Sequence, residues 1–188
     1  MNFFSIIIAI LNLLNNPPSV KTVDNFNIDH YTGSWYQVYD NLYNQIFLHN
    51  ASCINHHYQK EFDTLVHVTY KDLNDLIFSP NVTYHKKSGI LKLNNNSSSS
   101  GNLKLSMDDD LIDTDYYVTK LGPVVDNKYE YAIVTDSLEL SLRVLARDKE
   151  KFLELYDEEV LEYLNKSCKS DLVLEELTKP TKVNNTSC

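Results

Sequence analysis

The stretch Asn27-Ile-Asp-His-Tyr-Thr-Gly33-Ser-Trp35-Tyr-Gln37-Val38 decides how the rest of the chain is read. From Ser34 to Tyr39 it is aromatic and β-branched, the composition of a strand. Working outward, the same signal returns at 53–58, 65–70, 81–84, 90–93, 103–107, 116–120, 129–134 and 140–145. Several of these segments alternate apolar and polar residues with period two. Short strands at about 8–12-residue spacing with turn signals between them predict an all-β sandwich or barrel. Gly89, Gly101 and the pair Gly122-Pro123 fall between these segments and read as turn punctuation.

The period changes after Asp148. Leu153, Tyr156, Val160 and Leu164 recur at helical spacing, with Phe152 and Leu161 beside them and Glu and Lys opposite. One amphipathic helix is expected, N-capped by Asp148 and carrying Glu150 in its first turn. A helix with one apolar face, following a run of strands, must lie against the outside of the sheet. Asp171–Leu177 reads as an added edge strand, and Pro180 with the Asn-rich tail as loose chain.

Composition excludes several functions. The chain has 188 residues, one domain's worth. Its 26 acidic and 17 basic side chains leave a net charge of −9, which disfavours a nucleic-acid partner. Only four glycines occur and none are clustered, so the dinucleotide fingerprint and the phosphate-binding P-loop are excluded. The apolar run Phe3–Leu14 is shorter than the roughly 20 residues that span a bilayer, and it suits a secretory leader. Residues 1–19 are therefore expected to be a signal peptide, 20–180 the domain, and 181–188 a flexible tail carrying Cys188. Seven Asn-x-Ser/Thr acceptors, with Asn50 and Asn81 in the better-defined loops, favour glycosylation and an extracellular, disulfide-permissive address. Three cysteines, Cys53, Cys168 and Cys188, allow one bridge and one leftover thiol.

The opening stretch, with its Gly33-x-Trp35-Tyr, resembles the first signature of the lipocalins. Leu145-Ala-Arg147-Asp148, running into an amphipathic helix, is similar to their third. Cys53-Ile-x-x-x-Tyr58 looks like the second strand of the apolipoprotein-D-like and bacterial-lipocalin-like branch. The chain departs from the pattern at the second signature. Where the family often has Thr-Asp-Tyr it has Leu121-Gly122-Pro123, with Thr135-Asp136 one strand later. The resemblance implies an eight-stranded antiparallel up-and-down barrel, open at one end, with the C-terminal helix packed outside. It gives structural roles to Gly33 at the turn into the first strand, to Trp35 as plug of the closed end, and to Arg147 as its cation–π lid. It also implies that Cys53 pairs with a cysteine near the C-terminus, Cys188 ahead of Cys168.

Strand parity then proposes a pocket. If Arg147 points inward, Leu145, Arg143 and Ser141 share its face, while Leu142, Val144 and Ala146 turn out. Gln37 and Tyr39 follow Trp35 inward. The resemblance turns Ile54, His56 and Tyr58 inward on the second strand, and Tyr116, Val118 and Val134, with Ala132, would line later ones. The resemblance implies that the first loop, Asn41–Asn50, folds over the mouth, with Phe47 among its candidate contacts to ligand or membrane. Arg143 inside an apolar calyx needs an anionic ligand, an internal acid or a place at the wet rim. His56 and His57 are adjacent on a strand, point to opposite faces and cannot share a metal, so no metal site and no cofactor are expected. The function so read is that of a secreted carrier or scavenger of a small hydrophobic or amphipathic molecule: fatty acid, lysolipid, sterol or pigment. It is expected to be non-enzymatic and a monomer or weak dimer, with peripheral membrane contact through the first loop. The alternative is an interaction protein that sequesters a mediator or inhibits a partner, and a lipid-modifying enzyme ranks below it.

Overall fold

The computed structural model describes residues 3–47, 51–74, 83–93, 101–108, 110–166 and 171–186. Asn50, Asn81, Cys168 and Cys188 lie outside the described residues, as do Leu48 and the side chain of Phe47.

Eight strands form the barrel: β1 (Gly33–Asn41), β2 (Ser52–Phe62), β3 (Leu65–Asn74), β4 (Thr83–Leu93), β5 (Asn102–Met107), β6 (Thr114–Leu121), β9 (Tyr131–Thr135) and β10 (Leu142–Ala146). A two-stranded hairpin, β7 (Val124–Val125) with β8 (Lys128–Tyr129), is inserted between β6 and β9. Each barrel strand pairs antiparallel with its neighbour, and β10 returns to β1, so the sheet closes and loses its edges. Strand β11 (Pro180–Lys182) adds to β1 outside the closed ring. The expected eight-stranded barrel is therefore present, with one extra strand.

Three expectations need correction. Gly89 is not a turn. It lies within β4 between Val68 and Met107, joining the two segments expected at 81–84 and 90–93 into one strand. A Cβ there would stand 2.5 Å from the Ser106 carbonyl, so only glycine allows this close strand approach. The single helix after Asp148 is two, α4 (Lys149–Leu155) and α5 (Asp157–Lys166), broken at Tyr156. The ridge Phe152, Tyr156, Val160 and Leu164 faces the barrel across the break, so Phe152 is buried and Leu153 is 48% exposed. Asp148 does cap, accepting the Lys151 N–H at 2.9 Å. The expected edge strand at 171–177 is instead helix α6 (Leu172–Thr178), capped by Asp171 and burying Leu174 and Leu177. The edge strand follows it at Pro180, in the segment read as loose.

Helices α4 and α5 cover the outer face of β1, β9 and β10. Phe152 and Val160 pack there on Val38, Tyr39, Tyr131, Ile133, Leu142, Val144 and Ala146. All five residues of β9 are buried, because one face looks into the barrel and the other lies under the helices. At the N-terminus, α1 (Phe3–Asn15) lays Ala9 on Leu140 and Leu174. Among the described residues no helix is long and apolar enough to cross a membrane.

The closed end is built around Trp35. A short helix, α2 (Ile28–Tyr31), precedes β1, and the Tyr31 carbonyl accepts the Trp35 indole N–H at 2.8 Å. The Arg147 guanidinium carbon stands 3.6 Å from the Trp35 ring centroid. Its nitrogens donate to the carbonyls of His30, Tyr31, Thr32, Ser34 and Tyr129, tying three chain segments into one plug. Gly33 holds φ at +103°, where a side chain is strained, and an added Cβ would sit 3.2 Å from the Arg147 Nη1.

Candidate functional site

Above the plug the barrel is filled by side chains. Tyr31, Tyr58 and Tyr116 are fully buried and share a chain of hydroxyls, with Tyr116 Oη 2.6 Å from Tyr31 Oη and 2.7 Å from Tyr58 Oη. Burial pushes all three phenols well above their ordinary pKa, so they serve as neutral hydrogen-bonding groups. Val66, Val68, Leu91, Leu103, Val118, Ala132, Val134 and Leu145 complete this layer. Tyr58, Tyr116, Val118, Val134 and Leu145, expected to line a ligand pocket, are thus core. The parity argument placed them inside correctly, but it carries no information about depth, and aromatic rings occupy the lower half of the barrel.

The open space lies in the upper half, a cavity of about 350 Å³. Gln37, His56 and Arg143 line it, together with Ile54 and Ser141. Tyr39 does not. The register of β1 against β10 shifts between Gln37 and Tyr39, a bulge that reverses the alternation beyond it. Tyr39 therefore faces out beneath α4 and donates to Asp157 at 2.7 Å, while Asp40 turns into the cavity. The first loop forms helix α3 (Leu42–Phe47) at the mouth. Asn41 and Asn44 fasten it by donating to the carbonyls of Leu140 and Leu142, both at 2.7 Å. Tyr43 and Asn44 line the cavity from this helix, and Ile46 is exposed.

The walls are more polar than the sequence suggested. Asp40, Asp72, Asp110, Asp115 and Asp136 line them, against Lys87 and Arg143. Two of these carboxylates are committed elsewhere. Asp136 accepts the N–H groups of Leu138, Leu140 and Ser141 and shapes the turn into β10. Asp115 pairs with Lys104. Asp40 is buried, which pushes its pKa up, while the Asn41 N–H, Asn44 and the Arg143 charge pull it down. Arg143 thus has an internal acid nearby, one of the three environments its sequence position allowed. The aspartates were missed because they come from β1, β3, β6 and two loops, with no common spacing.

Four buried side-chain polar atoms among the described residues lack a hydrogen-bond partner: Asn44 Oδ1, His56 Nδ1, Tyr70 Oη and Asp72 Oδ1. All four residues line this one cavity. His56 pairs with Tyr70 across β2 and β3, their rings 4.5 Å apart, and Asp72 follows Tyr70 on the same strand face. The His56 Nε2 lies 2.8 Å from Gln37 Oε1, an acceptor, so the proton is on Nε2 and Nδ1 presents a bare lone pair. Burial, then the Arg143 charge, holds the His56 pKa well below its usual range, so the ring is neutral. His57 is exposed on the other face, 3.0 Å from Ser34 Oγ. A second cavity of about 330 Å³ lies outside the barrel, between β9, β10, α5 and α6, and none of the unpartnered atoms faces it.

Comparison with known proteins follows this geometry. A family model described as a lipocalin-like domain matches residues 26–169. A search of curated protein sequences finds no match. Among solved structures, the chain is similar to insecticyanin from the tobacco hornworm Manduca sexta (TM-score 0.62, 16% identity, covering 90% of this chain and 86% of that one). It is also similar to Japanin from Rhipicephalus appendiculatus, solved with cholesterol (TM-score 0.57, 15% identity, 91% and 100%). A third likeness is to the amine binding protein of Rhodnius prolixus in its tryptamine complex (TM-score 0.57, 19% identity, 88% and 85%).

Proposed function

The chain belongs to the lipocalin family, and from that premise we propose that it is a secreted carrier or scavenger holding one small amphipathic molecule in the upper half of its barrel. One observation carries this reading: every buried side-chain polar atom left without a hydrogen-bond partner, among the described residues, belongs to a residue that lines a single mouth-end cavity. Orphaned buried polar groups cost about 1–3 kcal/mol each, and a bound molecule that satisfies them recovers that cost. Solved relatives of the fold hold cholesterol and tryptamine, so the fold accepts ligands of very different chemistry. Here Tyr31, Tyr58 and Tyr116 fill the shaft that a long acyl chain would need, which favours a compact ligand over a fatty acid or lysolipid. The role proposed is binding rather than catalysis, in keeping with the cholesterol and tryptamine held by the similar solved structures.

Secretion is supported by the leader-like apolar run at 3–14 and the acceptor sequons. A bridge from Cys53 to Cys188 is supported by the path of the tail. Val183 donates to the Val38 carbonyl, Asn185 to that of Gln37, and the Cys53 N–H to that of Asn184, which brings residues 183–185 alongside β1 and β2. Expression in a eukaryotic secretory host tests the whole reading. The expected product is a medium protein shortened near Ser19 that carries one small molecule per chain in native mass spectrometry. Ile54→Trp, which fills the cavity, should abolish that mass with little change in melting temperature. A wild-type barrel that stays empty, and binds no small molecule in titration, would overturn the carrier function.

A further inference from the structure

We propose that the cavity is built for a small organic cation, whose ammonium group sits against His56 Nδ1, Tyr70 Oη and Asp72 Oδ1. This deepens the carrier reading and rests on it. The unpartnered set consists of three acceptors, Asn44 Oδ1, His56 Nδ1 and Asp72 Oδ1, and one hydroxyl. A group that satisfies acceptors must bring donors, and a primary ammonium brings three around one atom. His56, Tyr70 and Asp72 form one contiguous patch, the first two directly paired across strands and the third next on the same face. His56 is 1% exposed, so its lone pair has no ready access to bulk water. His85 Nδ1 stands 4.0 Å from Asp72 Oδ1, beyond hydrogen-bond reach.

Charge points the same way. Five aspartates line the cavity with Lys87 and Arg143; Asp115 is paired with Lys104 and Asp40 opposes Arg143, which leaves Asp72, Asp110 and Asp136 against Lys87. Arg143 lies on β10 and is opposed by Asp40. An anionic ligand would have to compete with Asp40 for Arg143 while sitting among four further carboxylates. A cation at the Asp72 end of the patch meets that field favourably, the Arg143 charge that reaches His56 and Tyr70 being opposed by Asp40, and a partly enclosed site screens it less than open water does.

Calorimetric titration of the full-length mature protein at neutral pH tests this with three near-isosteric probes: 3-phenylpropylammonium, 3-phenylpropan-1-ol and 3-phenylpropionate. The ammonium should bind about 10-fold or more tightly than either other probe, the ratio expected for a charge-assisted hydrogen bond. Its affinity should fall with added salt. Asp72→Asn should weaken the ammonium about 10-fold while changing the alcohol by less than about 2-fold. Equal or tighter binding of the alcohol or the propionate overturns the cation assignment and leaves the carrier function standing. So does an Asp72→Asn variant that loses both probes equally while still folded by circular dichroism. Failure of all three probes, with no small molecule retained by the native protein, overturns the carrier function as well. Should Asp72→Asn not fold, the wild-type probe ranking and its salt dependence decide the matter alone.

Discussion

Replacing Arg147 with methionine should lower the melting temperature by about 6–16 °C. The side chain stacks on Trp35 at 3.6 Å and donates five hydrogen bonds, four at 2.7–3.0 Å to the carbonyls of His30, Tyr31, Thr32 and Ser34 and one at 3.2 Å to that of Tyr129. A charged hydrogen bond contributes about 1.5–3 kcal/mol and a partly desolvated cation–π contact about 0.5–2 kcal/mol. Bonds that share one guanidinium are not additive, and the Ser34 side is wet, so water replaces part of what is lost. A net loss of about 3–4 kcal/mol follows, and each kcal/mol moves the melting point of a chain this size by about 2–4 °C. Circular-dichroism melts and urea titration measure the loss. Emission from Trp35, the only tryptophan, locates it, because opening the plug wets the indole and shifts its emission to the red. Arg147→Lys should recover less than half of the loss, since an ammonium keeps the charge but cannot span five carbonyls. A melting shift below about 3 °C with unchanged Trp35 emission would refute the idea that Arg147 holds the closed end together.

Three further outcomes are expected. Tyr116→Phe orphans the hydroxyls of Tyr31 and Tyr58 and should cost about 1–3 kcal/mol by denaturant titration, while small-molecule affinity stays unchanged because Tyr116 lies below the cavity. His56 has a pKa well below its unfolded value, so the folded state stays neutral while the unfolded chain takes up a proton below about pH 6.5. Stability should therefore be full above that pH and fall by up to about 1.4 kcal/mol per unit as the pH drops further. His56→Gln should flatten that part of the curve, and an unchanged slope would assign it to other groups. Peptide mapping under non-reducing conditions should join Cys53 to Cys188, and a Cys53–Cys168 peptide would reverse that assignment.

The sequence by itself determined the barrel, the plug and the strand faces near it. Period-two alternation survives in the sequence because each strand presents one face to the core, and Gly33, Trp35 and Arg147 sit at the ends of strands whose pairing leaves little choice. Inward Arg143 and outward Leu142, Val144 and Ala146 were legible for that reason. Short apolar runs were not: Asp171–Leu177 suits a strand or a helix, and the Asp171 cap with burial of Leu174 and Leu177 made it a helix. Only the tertiary structure decided the site. One bulge after Gln37 exchanged Tyr39 for Asp40 on the inner face, and no local pattern announces a bulge. Parity gives direction but not depth, so tyrosines that fill the barrel floor looked like pocket walls. The acidic character of the mouth arises from carboxylates distant in sequence that converge only when the sheet closes, and an unpartnered lone pair exists only once every other polar group has found its partner.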